Sequence, residues 1–285
     1  MMKVGFFTAA MVLLTLSVSF SFAVRKAQGQ VDDSVATDAS FVAPSVFQAA
    51  GTSGISIQSS VAEFRAAIGG NNNNNDGPHN DGGRREINWD GGNPANQTTT
   101  ISPNPFAGFQ NNRGALFTTP DGTGFVQAPP SGLASAAVFN NPSYATIFAA
   151  FSPSRLFSPI GSNVTEVDFF VPGGGNVRAT TRGFAAVFTD VDQPDGSGPG
   201  EKNGNRKAST LMEFFGVNGE LLFSSHVPAA PGDGNLSFFA VKFNDARIAS
   251  VRITAGNVAP GPNDDGKNDI VMMDDFIYGE PQALP

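Results

Sequence analysis

From Leu116 to Tyr278 the chain is a succession of short Phe- and Val-rich segments in which apolar and polar residues alternate, each closed by a cluster of Gly, Pro, Asn or Asp. Alternation with a period of two puts every second side chain on one face of a strand. Many such strands, separated by turn signals, have to pair with one another, which is the pattern of an all-β sandwich or barrel. The pattern predicts strands near 114–118, 145–151, 164–171, 177–190, 208–216, 220–227, 236–243, 247–255 and 269–278. It also predicts their buried faces: Phe184, Ala186 and Phe188 on one strand, Phe239, Val241 and Phe243 on another, Val251 and Ile253 on a third. Between Phe215 and Leu221, the pair Asn218-Gly219 signals a hairpin with a type I′ turn. The one helix signal is Ser60-Val61-Ala62-Glu63, a capping-box pattern that opens about two turns with Val61, Phe64 and Ile68 on one face.

Composition supports this reading and closes off several functions. The chain has 33 Gly and 20 Pro in 285 residues, no Cys, and 2 His. A chain of that length can bury a large core without disulfides. The residues for Cys-His chemistry and for the usual zinc sites are lacking, and no Gly-x-Ser-x-Gly elbow occurs. The formal net charge is −8, and the longest basic runs are Arg84-Arg85 and Arg206-Lys207, which argues against a nucleic-acid partner. With 26 Phe but only 1 Trp and 2 Tyr, amphipathic aromatic platforms are scarce and the Phe residues belong to the core.

Met1-Met2-Lys3 precedes an apolar run, Val4 to Ala23, that ends Ser21-Phe22-Ala23 with small residues at the positions preceding cleavage. This reads as a secretory signal peptide, which predicts a secreted, extracellular protein with no membrane span after cleavage. The chain then divides into a flexible lead-in (24–52), an N-terminal region (53–160) with the short helix and an Asn-rich surface loop, a β-sandwich core (161–281) and a tail (282–285). The N-terminal region has too few strands to close a core of its own and is expected to pack on the sandwich.

Acidic residues are concentrated in three places: Asp190-Val191-Asp192 with Asp195, then Asp264-Asp265 with Asp269, then Asp274-Asp275 inside an otherwise apolar strand. Oxygen-rich groups of this kind suit Ca²⁺. An EF-hand on Asp190, Asp192 and Glu201 fails, because Pro194 and Asp195 stand where an oxygen ligand and the invariant Gly belong and the flanks read as strands. The expected geometry instead joins Asp190 and Asp192 to one of Asp274 or Asp275, since strand alternation sends those two to opposite faces. The metal-free alternative turns one Asp to solvent and pairs the other with an Arg such as Arg182 or Arg252. Around the single Trp, Arg85, Trp89 and Asp90 are candidate ligand contacts. The competing structural reading has Trp89 plugging one end of the sandwich while Arg85 and Asp90 fix a loop, as a lone large aromatic is usually buried for its area.

Three stretches, Gly183-Phe184-Ala185-Ala186-Val187-Phe188-Thr189-Asp190-Val191-Asp192, Leu236-Ser237-Phe238-Phe239-Ala240-Val241 and Val271-Met272-Met273-Asp274-Asp275-Phe276-Ile277-Tyr278, resemble the last strands of secreted bacterial jelly-roll proteins. These are the lectin-like and carbohydrate-binding-like sandwiches found among exported proteins with a Pro-Glu-Pro sorting tail. The resemblance covers roughly residues 160–280. It implies an antiparallel jelly-roll-like sandwich, a structural Ca²⁺ and a non-catalytic module that binds a glycan or cell-surface polymer. The chain departs from such proteins in ending Gly279-Glu280-Pro281-Gln282-Ala283-Leu284-Pro285, without a hydrophobic tail or basic cluster. The alternatives are an extracellular polysaccharide hydrolase or lyase using a carboxylate pair, with Glu166 and Asp168 or Glu213 and a neighbouring acid as candidates, and a structural surface or matrix protein. A cleft with two facing carboxylates would favour the first of these.

Overall fold

The computed structural model describes residues 43–74, 77, 79–91, 99–130, 133–192 and 210–284. Residues 1–23, expected to be a signal peptide, the lead-in as far as residue 42, and Pro194, Asp195, Glu201, Arg206 and Lys207 lie outside the described residues.

In chain order the elements are β1 (Ser45–Gly51), α1 (Gly54–Ile68), β2 (Arg84–Ile87), β3 (Thr100–Pro103), β4 (Phe106–Phe109), α2 (Gln110–Arg113), β5 (Ala115–Thr118), β6 (Gly124–Ala128) and α3 (Leu133–Phe139). They continue with β7 (Leu156–Ile160), β8 (Val164–Phe169), β9 (Ala179–Thr180), β10 (Gly183–Thr189), β11 (Leu211–Phe215), β12 (Leu221–His226), β13 (Leu236–Lys242), β14 (Ser250–Thr254), β15 (Met272–Gly279) and β16 (Gln282–Ala283). Every pairing between these strands is antiparallel. One sheet runs β1-β13-β10-β15-β7-β6-β3, with β2 added to β15, and a second runs β12-β11-β14-β8-β5-β4. The protein is an all-β sandwich.

The two sheets enclose one core, to which the first contributes Phe125, Phe157, Phe184, Phe188, Phe239 and Phe276 and the second Phe117, Phe169, Phe214, Val251 and Ile253. The residues expected on the buried faces of β10, β13 and β14 are there. These strands are nonetheless less alternating than a sheet with one wet face, because a third layer covers the first sheet from outside. Ile57, Val61, Phe64 and Ile68 of α1 pack on Ala185, Val187, Phe238, Ala240 and Ile277, so β10 is buried along its whole length. Each fully buried apolar side chain of this kind contributes roughly 1.5–3 kcal/mol.

The helix is longer than its sequence signal. The i, i+4, i+7, i+11 spacing of its four buried residues carries it over 15 residues, and Ser53, not Ser60, is the N-cap. Ser60 lies within the helix, where its hydroxyl donates to Gln48 O of β1 at 3.2 Å. That contact helps explain a second difference: residues 45–51, expected in the flexible lead-in, form β1, seated between α1 and β13 with seven residues in register. Its sequence shows no clean alternation because one face meets the helix and the other is partly open. The hairpin at Asn218-Gly219 is present but its turn differs. Among the described non-glycine residues with positive φ, Asn218 does not appear, whereas Gly219 has φ 77°. Gly219 N–H bonds Gly216 O at 3.0 Å and Gly216 N–H bonds Glu220 O at 2.9 Å, which makes a three-residue loop with a left-handed glycine at its end.

Residues 84–160 contribute β2, β3, β6 and β7 to the first sheet and β4 and β5 to the second. The stretch 145–151, expected as a strand, instead follows a 3-10 turn at Pro142–Ala145. Tyr144, Ile147 and Phe148 there form a small cluster with Leu156, Ile270 and Met272. In the tail, Gln282 and Ala283 pair with β9.

Candidate cation site and polar pocket

Asp190 and Asp192, expected to share an ion with one of Asp274 or Asp275, lie in a different region from both of those residues. β15 carries a bulge where Asp274 and Asp275 stand. Ala186 pairs with Phe276 while Phe188 pairs with Met273, so Asp274 and Asp275 together face the single residue Val187, and strict alternation breaks between them. On the other edge of β15 the neighbour changes at the same point: Met273 pairs with Phe157 of β7 and Phe276 with Ile87 of β2. Trp89 fills the gap between β7 and β2. Its Nε1 donates to Asp274 O at 2.9 Å, and its ring stacks on Phe157 with centroids 3.7 Å apart. Trp89, with φ 62° and 1% exposure, is therefore a core plug that caps an orphaned carbonyl, and it cannot serve as an exposed ligand contact.

Arg85 is corrected in the same sense. It is fully buried and makes a two-pronged ion pair with Glu280 at 2.6 and 2.7 Å, while Asn73 Nδ2 donates to the same carboxylate at 2.8 Å. Asp90 fixes a loop: its Oδ1 accepts from Ser154 N–H at 2.5 Å and Arg155 N–H at 2.8 Å.

Asp274 and Asp275 are both buried, and neither turns to solvent or meets Arg182 or Arg252. Asp274 Oδ2 accepts from the backbone N–H groups of Phe151 (2.6 Å) and Ser152 (3.2 Å). Asp275 Oδ1 accepts from Ser152 Oγ at 2.6 Å, and its Oδ2 lies 3.5 Å from Arg65 Nη2, a guanidinium that also holds Glu86 at 2.6 Å. Burial, with Asp275 alongside, pushes Asp274 well above the ordinary carboxylate range, and burial raises Asp275 in the same direction. Beside this pair is a pocket of about 280 Å³ lined by Arg65, Glu86, Asn88, Arg113, Ser152 and Asp275, among others. Its lining residues are all polar or charged, so donors and acceptors both face it.

The other two aspartates assemble with partners from the loops at the end of β10. Asp190, Asp233 and Asp264 bring one carboxylate oxygen each to within 4.8 Å of one another, and Asp192, Asp264 and Asp269 do the same. Acidic clusters that could hold a metal ion are thus present, built on Asp190 and Asp192 but not on Asp274 or Asp275. The local chain path explains why they meet. Asp190 takes a left-handed conformation, φ 70°, tolerated by Asp, and its N–H bonds Asn235 O at 3.0 Å. Asp192 Oδ1 accepts from Gly232 N–H at 2.6 Å and Asp192 N–H donates to Asp269 Oδ1 at 3.2 Å, which ties the 230–235 loop and the loop before β15 to the end of β10. Gly256, φ 66°, passes so close that a Cβ would lie 2.1 Å from Asp269 O, so only glycine lets that loop fold back.

The electrostatics of this end are adverse. Asp190 is completely buried and neither of its carboxylate oxygens has a hydrogen-bond partner. Burial first, then Asp264, Asp192, Asp233 and Asp269, push it up to about 9. Burial and the neighbouring carboxylates likewise push Asp264 up to about 7, against a hydrogen bond from Ile270 N–H. Among the described residues, no Arg or Lys pairs with Asp190, Asp192, Asp233 or Asp264.

The candidate catalytic pairs are on an open sheet face. Asp168 pairs with Arg178 at 2.9 Å and Glu166 lies 3.6 Å from Arg252. Glu213 faces Ser224 on one side and Arg252 on the other, not a second acid. Sequence reasoning missed Glu86, Asn88 and Ser152 in the pocket and Asp233 in the acidic cluster; Asp233 is a single acid in a Pro-Gly-Asp-Gly turn and carries no signal of its own. No family model, no curated protein and no solved structure matches the chain. Among the described residues no helix is long and apolar enough to cross a membrane.

Proposed function

We propose that this chain is an exported, non-catalytic β-sandwich module that binds a glycan or cell-surface polymer and carries a structural Ca²⁺. The observation that carries the binding part is the polar pocket of about 280 Å³ beside the β15 bulge. Its guanidinium, amide, hydroxyl and carboxylate groups interleave donors with acceptors, which is what a neutral polyhydroxylated ligand needs, and its size is close to the lower end for small-molecule sites. Asn88 is exposed on its rim, so it is free to meet a ligand without first breaking a core contact. Calcium is the ion of choice because the acidic clusters offer only oxygen donors. Export rests on the signal-peptide reading of residues 1–23.

The test is affinity electrophoresis of the protein through gels containing soluble neutral and acidic polysaccharides. Retardation by at least one polymer, reduced about tenfold in apparent affinity by Asn88→Trp, which fills the pocket, is expected. If no polymer retards the protein, or the substitution changes nothing, the pocket is not the binding site.

A second reading, polysaccharide cleavage, is favoured by one observation: Glu86 and Asp275 line the same pocket. Against it, Arg65 bridges the two carboxylates, leaving neither free to act as acid or base in this geometry. Release of reducing ends from a retarded polymer, abolished by Glu86→Gln, would decide for cleavage.

A further inference from the structure

We infer that Asp190, Asp233 and Asp264 are the inner ligands of a single Ca²⁺ site that pins the end of β10 to the loops before β13 and β15. The inference deepens the calcium part of the proposed function by naming its residues, and it is independent of the polar pocket.

An acidic cluster alone would not carry this, since exposed carboxylates gather at loop ends without any ion. The added observation is Asp190. Its carboxylate is completely buried, both oxygens lack a donor, and one of them lies within 4.8 Å of oxygens of Asp233 and Asp264. A buried carboxylate without donors is costly, and the fold had simple remedies within reach. At the β15 bulge, two backbone N–H groups serve Asp274 and a hydroxyl with a guanidinium serves Asp275. At Asp190 neither remedy is used. Instead the chain turns Asp190 through a left-handed conformation, φ 70°, which points its carboxylate at two more acids.

The remaining contacts preorganise the loops without occupying the inner oxygens of Asp190. Asp192 is held by Gly232 N–H, 2.6 Å, Asp264 by Ile270 N–H, 3.2 Å, and Asp265 Oδ1 closes its own turn on Lys267 and Asn268 N–H groups at 2.7 and 2.9 Å. Asp192 and Asp269 are thereby positioning residues with a second set of oxygens close to Asp264. Asp233 is exposed, which gives an ion a way in from solvent. Three carboxylates from three separate segments, completed by further oxygens from water or backbone, suit the six to eight oxygen ligands of Ca²⁺, whereas Mg²⁺ demands a tight octahedron and sheds water reluctantly.

The experiment is a calorimetric titration of the full protein, stripped of divalent ions, with CaCl₂ and in parallel with MgCl₂. One calcium per chain is expected, with magnesium at least tenfold weaker. Asp190→Asn and Asp233→Asn should each weaken calcium binding at least tenfold, while Asp275→Asn leaves it unchanged; Asp233 is exposed, so its substitution tests the site even if Asp190→Asn fails to fold. Absence of binding in the unsubstituted protein, checked by equilibrium dialysis with ⁴⁵Ca²⁺, would overturn both this site and the calcium part of the function. Calcium binding that survives both Asp190→Asn and Asp233→Asn would overturn the site alone and leave calcium to be placed elsewhere.

Discussion

The molecule buries aspartates in two regions and treats them in opposite ways. At the β15 bulge, Asp274 and Asp275 are enclosed by donors: the Phe151 and Ser152 N–H groups, the Ser152 hydroxyl and the Arg65 guanidinium. At the end of β10, Asp190 is as deeply buried and has none. Burial alone therefore says nothing about a metal. The two regions differ in whether the fold supplies the buried oxygens with hydrogen atoms, and they lie within one sandwich, one just past the end of β10 and the other inside the strand paired with it.

The comparison breaks most visibly at Asp274. Removing its carboxylate with Asp274→Ala leaves the Phe151 and Ser152 N–H groups without their acceptor, at about 1–3 kcal/mol each, and should lower the melting temperature by roughly 5–15 °C, equally with and without calcium. A loss that calcium rescues would mean that the bulge, too, belongs to an ion site.

A smaller effect separates the regions by pH. The folded state holds Asp274 protonated above the range where the unfolded chain has released that proton. Its folded pKa is raised, so the folded protein binds more protons than the unfolded one. The stability linked to this group is at its greatest below about pH 4 and declines as pH rises through the raised range, by up to about 1.4 kcal/mol per pH unit. Urea unfolding at pH 5, 6 and 7 in saturating calcium, which takes Asp190 out of the balance, should show that decline in the unsubstituted protein and a flatter profile in Asp274→Asn. The amide keeps an acceptor for Phe151 and Ser152. Identical slopes in the two proteins would show that Asp274 is ionised in the fold.

The smallest effect is expected at Arg65, whose side chain is one-quarter exposed. Solvent screening limits what its ion pairs contribute, and Arg65→Ala should cost about 1 kcal/mol or less in urea unfolding while leaving calcium affinity untouched. A loss of several kcal/mol would mean that Asp275 is ionised and depends on this guanidinium.

Much of the sandwich was legible because alternation is a local property. Phe184, Phe188, Phe239 and Val251 declare their face within a few residues, and all are buried in the shared core. The Phe215-to-Leu221 hairpin was legible for the same reason, although its turn type depended on the φ of one residue. What failed was non-local. β2 reads Arg-Arg-Glu-Ile and shows no strand signal, yet it is a strand because Arg85 finds Glu280, 195 positions along the chain. β1 looks like a lead-in until α1 and β13 enclose it. The bulge in β15 could not be read from alternation: it lies where the neighbour changes from β7 to β2, and the register leaves Asp274 and Asp275 opposite Val187, away from Asp190 beyond the end of β10. The site itself was half legible. Asp190, Asp192, Asp264 and Asp269 stood out as acidic groups at strand ends, but only the folded loops show which groups meet, and Asp233 joins them from a turn with no acidic neighbour.

Whether Asp190 is a ligand awaiting a cation or a tolerated defect is decided by thermal unfolding of the unsubstituted protein and Asp190→Asn, each in EDTA and in calcium. In EDTA the substitution should raise the melting temperature, because it removes a buried acid that burial and like charges disfavour. At calcium one hundredfold above its dissociation constant the unsubstituted protein should gain about 2.7 kcal/mol, roughly 5–10 °C for a chain of this size, and Asp190→Asn, binding at least tenfold more weakly, should gain about 1.4 kcal/mol or less. A substitution that lowers stability in EDTA, in a protein whose unsubstituted form melts at the same temperature with and without calcium, would show that Asp190 holds no ion.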